Sequence, residues 1–233
     1  PVIMLFMWGK NDIMRFGKWA REQAERSSVP VSIILDHGAA YEHAIWAIRA
    51  GFTDIMIDRS TLPFEENAAQ VKELVKVAHA VDVGVEAELG HVAMGDEGVF
   101  TRPDEALRFV QETGVDALAV AIGTAHGAYK ETPKLQFELL AQLRETVPVP
   151  LVLHGGSGTG DDNLRKACSM GINKLNVAYE LYTGAIDGYK NYEANLPEKW
   201  RTWAPYDLYD AMGKGIKAVA EHHMDLCGST GKA

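Results

Sequence analysis

Three histidines stand at the ends of short apolar runs: His37 in SIILDHG, His126 in LAVAIGTAHG and His154 in PLVLHGGSG. Neutral imidazoles are zinc ligands, and three of them leave one of the metal's four tetrahedral positions open to water or substrate. An open position is the mark of a catalytic metal rather than a structural one. Carboxylates accompany them. Asp36 directly precedes His37, so a group able to move a proton stands beside a metal ligand. Glu86 and Glu88 in VEAELG alternate along a strand and share a face, and Asp58 closes MIDRS at another strand end. Taken singly, each is as readily a turn cap, an ion-paired acid or a satisfied polar histidine. Together they outline one metal site with an acid–base group beside it.

A second constellation suits an anion. In HGGSG, Gly155, Gly156 and Gly158 free the backbone to wrap a phosphate and Ser157 adds a hydroxyl. Gly127 in GTAHG can offer its amide where small neighbours permit close approach, and Asn176 in KLNVAYE ends a strand next to the glycine-rich turn. The other histidines, His43, His79, His91, His222 and His223, fall on helical stretches or in a polar loop and are read as non-catalytic.

Elements must bring these residues together. Strand-like runs occupy residues 1–7, 31–37, 54–58, 84–89, 117–122, 149–154 and 174–177. Between them apolar residues recur at helical spacing, as in 64–81, 103–113 and 135–146. Gly51, Gly114 and Gly171 follow helical stretches as left-handed caps, Pro63 and Pro103 stand near helix starts, and Asp161 or Asp162 can cap a helix. Repeated strand–helix units imply an α/β fold with a parallel sheet. Seven strands suit either an open doubly wound sheet or a barrel, but chemistry-bearing residues at most strand ends favour the (β/α)8 TIM barrel, with its first βα unit expected before Pro1. The HGGSG turn then falls at the phosphate position after strand seven. We read one domain over 1–233 with a C-terminal extension from about 191. Within it, 192–210 carries two prolines, two tryptophans and three tyrosines without clean periodicity, predicting an ordered excursion before a final helix at 208–227.

The net charge of -9, with acidic and basic residues mixed along the chain, argues against nucleic acid as a partner. No apolar run reaches membrane-spanning length and no signal-peptide pattern is present, so a cytoplasmic protein is expected. The two cysteines, Cys168 and Cys227, suggest no disulfide framework.

The stretches LDHG, GFTDIMIDRSTLPFEEN, VEAELG, GVDALAVAIGTAHGAYK, PLVLHGGSG and GINKLNVAYEL resemble the short branch of the class II, metal-dependent fructose-bisphosphate and tagatose-bisphosphate aldolases over most of 31–181. The resemblance implies reversible cleavage of a ketose 1,6-bisphosphate to dihydroxyacetone phosphate and glyceraldehyde 3-phosphate. It makes His37, His126 and His154 ligands of a catalytic zinc, with Glu88 and Asp58, and Glu86 after them, as acidic positions at the metal. Asp36 becomes the proton-transfer residue, and Gly127, Gly155, Ser157 and Asn176 the binders of the substrate phosphate. It further implies a monovalent cation, Na+ or K+, and a homodimer or homotetramer. The same site would also serve a metal-dependent sugar-phosphate isomerase or hydrolase, or a sugar-phosphate-binding protein without turnover. Four departures stand out. The first βα unit is not in the sequence, and the acidic loop after VEAELG is short, with Asp96 or Glu97 as its remaining acids. Tyr179 replaces a small hydroxyl residue, where it would reshape the phosphate site, and Arg59 replaces a glycine, where it would add a cation for an anionic substrate.

Overall fold

The computed structural model describes residues 2–5, 9–92, 99–127, 129–196 and 205–232. Strands and helices alternate through β1 (Val2–Leu5), α1 (Lys10–Arg26), β2 (Ser32–Gly38), α2 (Tyr41–Ala50), β3 (Asp54–Ile57), α3 (Phe64–His79), β4 (Gly84–Leu89), α4 (Pro103–Thr113), β5 (Ala117–Val120), α5 (Phe137–Thr146), β6 (Leu151–Leu153), α6 (Asp161–Ser169) and β7 (Ile172–Leu175). Two helices, α7 (Tyr179–Asn195) and α8 (Pro205–Leu226), follow. The strands form one parallel sheet whose order is the chain order, β1 to β7. Each link is therefore a crossover that lays a helix against the outer face.

Alternation along the strands explains what that face buries. Val85, Ala87 and Leu89 of β4 join an apolar cluster with Val71 and Leu74 of α3 and Phe109 of α4. Ile33 and Leu35 of β2, Ile55 and Ile57 of β3, Leu118 and Val120 of β5, and Leu151 and Leu153 of β6 belong to the same layer. The intervening residues, Ile34, Met56, Glu86, Glu88, Ala119 and Val152, are buried outside that cluster and point to the other, inner face.

The inner face is concave. In a flat sheet four strand spacings of ~4.8 Å would hold the ends of β2 and β6 about 19 Å apart. Instead His37 Nε2 at the end of β2 lies 2.8 Å from His154 Nδ1 just past β6. Asn176, past β7, donates to Asp36 of β2 at 3.0 Å. Such contacts require a sheet curled like most of a barrel, with its strand ends converging on one mouth.

Several boundaries differ from the sequence reading. β7 begins and ends two residues earlier than expected, which leaves Asn176 just past the strand, and β6 is confined to Leu151–Leu153. Gly51 and Gly114 cap α2 and α4 with φ of 92° and 75°, as expected. Asp161 and Asp162 are not caps. Gly160 holds the cap position, and the two acids lie in the first turn of α6, where they face the positive helix pole.

The excursion expected over 192–210 is instead largely helical, since α7 runs to Asn195 and α8 begins at Pro205; 197–204 lie outside the described residues. α7 and α8 pack backbone to backbone, so small residues rather than a wide apolar stripe mark the contact. A Cβ on Gly215 would overlap the Gly184 carbonyl, and one on Gly188 the Ala211 carbonyl. Beyond each other, these helices meet the rest of the fold chiefly where α8 passes α6.

Candidate active site

Asp36 and His37 are neighbours on a strand, and a regular pleat would aim them at opposite faces. The ladder between β2 and β3 shifts register between Leu35 and Gly38, and His37 takes φ 46°, a left-handed conformation uncommon for a residue with a Cβ. Both side chains thereby reach the same mouth. Such backbone costs about 1–3 kcal/mol and persists where surrounding contacts over-determine it. Here Asp58 Oδ2 holds His37 Nδ1 at 2.7 Å, and His154 meets Nε2.

The three sequence-predicted ligand histidines come together. Ring centroids of His37 lie 4.9 Å from His126 and 4.6 Å from His154, with planes at 80° and 79°. One ligand nitrogen from each falls within 4.8 Å of the others. A carboxylate turns two of the rings: Asp58 takes Nδ1 of His37, and Glu86 Oε1 lies 2.8 Å from Nε2 of His154. The nitrogens left over, His37 Nε2 and His154 Nδ1, face each other, as in metal sites whose histidines are oriented through the far nitrogen. His126 Nε2 and Glu88 Oε2 are buried without a hydrogen-bond partner among the described residues. An orphaned buried acceptor is costly in water-free surroundings, and a cation would satisfy it. The donor set therefore fits a zinc-sized ion held by His37, His126 and His154.

Charge agrees. Burial opposes the imidazolium of His37, but the Asp58 hydrogen bond and the charges of Asp36 and Glu88 outweigh it and raise its pKa to about 9. Burial, with His37 and His154 nearby, lowers that of His126 to about 4, so this ring keeps a lone pair for a metal. Burial raises the pKa of Glu88. Asp58 is buried too, yet its bonds to His37 and Ser60 hold it below the usual carboxylate range.

Lys174 was not singled out from the sequence. Its ammonium lies 2.9 Å from Glu86 Oε2 and donates to Asn176 Oδ1 at 2.7 Å. Despite burial, Glu86 is held at about 2 by Lys174 and His154. One cation thus joins two branches, Glu86 to His154 on one side and Asn176 to Asp36 on the other. The available signal was its spacing: Lys174 and Asn176 are two residues apart, on one face of the strand expected over 174–177.

The anion-binding candidates line one cavity, where Asp36, His126, Gly127, Gly155, Ser157 and Asn176 meet. Gly155 has φ 67°, and a Cβ there would strike the Ala125 carbonyl, so only glycine fits the turn. Ser157 Oγ accepts the amides of Ala178 and Glu180 at 3.2 and 3.3 Å, leaving its proton to donate. Tyr129, also unassigned from sequence, accepts the Ala125 amide at 2.6 Å and lies 2.9 Å from the Gly155 carbonyl, which clasps the His126 loop to the turn. Glu180 accepts the Gly158 amide at 2.6 Å.

Tyr179 lines the same cavity from the start of α7 and is 45% exposed, so it narrows the rim without filling it. Arg59 is engaged elsewhere, donating to Gln70, to the Ala39 carbonyl and to its neighbour's carbonyl at Asp58. Its role is to tie the loops after β2 and β3. His91 lies near the metal residues, with Nδ1 3.0 Å from Ser60 Oγ. Asp96 and Glu97 lie outside the described residues.

Known proteins share this fold. The family model for fructose-bisphosphate aldolase class II matches residues 1–232. The chain is similar to the crystal structure of the YdjI aldolase from Escherichia coli K12, with 36% identity and a TM-score of 0.85 over 100% of this chain and 83% of that one. It is also similar to a candidate fructose-1,6-bisphosphate aldolase from Coccidioides immitis, at 28% identity and TM-score 0.77, covering 100% and 92% of the two chains. The fold is shared with a fructose-bisphosphate aldolase from Campylobacter jejuni, at 23% identity and TM-score 0.76 over 93% and 75%.

Proposed function

Starting from a chain that belongs to the class II fructose-bisphosphate aldolase family and is a carbon–carbon lyase, we propose that it is a zinc-dependent aldolase. In this reading it reversibly cleaves fructose or tagatose 1,6-bisphosphate to dihydroxyacetone phosphate and glyceraldehyde 3-phosphate. One observation carries the proposal: three ligand nitrogens, the Asp36 carboxylate and the glycine-rich turn face a common mouth. When bound by His37, His126 and His154, zinc supplies a Lewis acid that stabilises negative charge on the ketose C2 and C3 oxygens.

The chain's own groups do the rest. The turn at Gly155 and Ser157, with the Gly127 amide and the Asn176 side chain, grips the phosphate next to the ketone and fixes the sugar's register. Asn176 occupies Asp36 Oδ1, which orients Oδ2 as general base toward the C4 hydroxyl. As that proton moves to Asp36, the O–H electrons form the C4 carbonyl, the C3–C4 bond breaks, and its electron pair passes into the C2–C3 unit, which becomes dihydroxyacetone phosphate on taking a proton at C3, the role the resemblance gives to the loop acid Asp96 or Glu97. In condensation Asp36 returns the proton. Asp58 and Glu86 keep the rings of His37 and His154 turned toward the metal, and Glu88 adds negative charge beside them.

Wider features belong to the same proposal. The sequential strand order supports a (β/α)8 barrel, with a βα unit before β1 as its eighth member. Exposed Tyr182, Ile186, Tyr206 and Tyr209 on α7 and α8 support a homodimer or homotetramer. No described helix is long and apolar enough to cross a membrane; we place the enzyme in the cytoplasm, with a monovalent cation near the phosphate.

Product analysis on zinc-loaded protein tests the reaction, with fructose and tagatose bisphosphates assayed side by side. Two triose phosphates are expected from at least one of them. Release of inorganic phosphate, or an aldose isomer with no triose, would replace cleavage by hydrolysis or isomerisation.

A further inference from the structure

The two cysteines sit far apart in sequence and meet in space. Cys168 lies in the last turn of α6 and Cys227 directly follows α8, 59 residues later, with their sulfurs 3.5 Å apart. Both are free thiols and half-buried, so a small oxidant can reach them. The contact lies where the helical hairpin joins the strand–helix body. Around it, the end of α8 is already tied to the glycine-rich turn: His222 lies 3.1 Å from Asp161, and His223 lies 2.9 Å from Glu180, the residue that holds the Gly158 amide.

We propose that Cys168 and Cys227 form a redox-active dithiol, which a peroxide converts to an intramolecular disulfide that pins the end of α8 to α6. The Cys168 S–H donates to the Cys227 sulfur, which designates Cys227 as the attacking thiolate. That hydrogen bond lowers the Cys227 pKa to about 7, while the Cys168 thiol is pushed up.

Cys227 attacks one peroxide oxygen. Its S–O bond forms as the O–O bond breaks, giving a sulfenic acid and a hydroxide that takes up the thiol proton as water. Cys168 then attacks the Cys227 sulfur, the S–S bond forms, the S–O bond breaks, and a second water leaves with the Cys168 proton. Two thiols lose two electrons and one peroxide becomes two waters. Closure from 3.5 Å to a bond of ~2.05 Å needs side-chain rotation and a small approach of the helix ends. The closed loop constrains the unfolded chain and holds α8 against the turn it braces.

The test uses reduced full-length protein treated with hydrogen peroxide, followed by peptide mapping and thermal melting. We expect a chain lighter by two hydrogens with no covalent link to another chain, a cross-linked peptide joining positions 168 and 227 that dithiothreitol releases, and a higher Tm than the reduced form. In Cys168→Ser, a dimedone-trapped sulfenic acid on Cys227 is expected, with no cross-link and no rise in Tm. Alkylation of both thiols after peroxide, without a cross-linked peptide, would overturn the proposal, as would linkage only between chains. A disulfide that left the melting temperature and the hydrogen exchange of α8 unchanged would overturn the pinning.

Discussion

At the mouth of the curled sheet, buried polar groups satisfy one another: Lys174 with Glu86 and Asn176, Asn176 with Asp36, Glu86 with His154, Asp58 with His37. The α7–α8 hairpin is held differently, by glycines that let two helix backbones touch, while Tyr182, Ile186, Tyr206 and Tyr209 face outward. In the first region direction matters, because a proton or metal ligand displaced by an ångström is lost to the chemistry. In the second, close approach and contact area matter. Damage at the mouth should therefore appear in catalysis and metal affinity, and damage in the hairpin in stability and assembly.

Asp36→Asn should separate the regions most sharply. It keeps the shape and removes the base, so kcat should fall by about 10²–10⁴-fold with zinc content unchanged; steady-state kinetics with metal analysis checks this. A near-normal kcat would place proton transfer elsewhere.

Lys174→Met should come next. It strands the Glu86 carboxylate beside His154, which should weaken zinc binding about 10–100-fold, as second-shell changes do, and cost about 3–5 kcal/mol of stability. Chelator competition and denaturant unfolding measure the two, and Lys174→Arg should recover part of both. Unchanged zinc affinity would reduce Lys174 to a packing residue.

The raised pKa of His37 gives a pH test on the metal-free chain. Protonated His37 stabilises that chain fully below its unfolded value of about 6.5, and the benefit is lost as pH climbs through about 9. Zinc must expel the same proton, so apparent affinity should rise about tenfold per pH unit up to that point, and calorimetry in two buffers should detect proton release at pH 7. Affinity independent of pH would contradict the Asp58–His37 pairing.

The smallest effect on chemistry belongs to Gly215→Val. A side chain there forces α8 off α7 and should cost about 1–3 kcal/mol, seen as faster hydrogen exchange in both helices, with kcat nearly unchanged. An equal loss of kcat would show that the hairpin shapes the mouth.

The sequence made the mouth unusually legible. Histidines and carboxylates at strand ends, and the glycine-rich turn, are local patterns, and the structure brings His37, His126, His154, Asp36 and Asn176 to one place. Lys174 and Tyr129 were missed because their roles depend on contacts made across strands or between loops: Glu86 reaches Lys174 from β4, and Tyr129 answers to Gly155 in another loop. The turning of His37 into the mouth rests on a bulge, which no apolar period announces. The segment 192–210 showed no single helical period because it spans the end of α7 and the start of α8. The glycines that seat the two helices on each other, Gly184, Gly188 and Gly215, lie outside that segment.

In the proposed mechanism cleavage depends on a metal held by three histidines and not on an amine, although Lys174 stands only two residues from Asn176, which lines the cavity. One experiment decides it: chelator treatment of the full-length enzyme, zinc restoration, and borohydride added with substrate present. Activity should be lost on chelation and recovered with zinc, with no inactivation by borohydride. Activity that survives metal removal, or a substrate-dependent adduct trapped on Lys174, would contradict it.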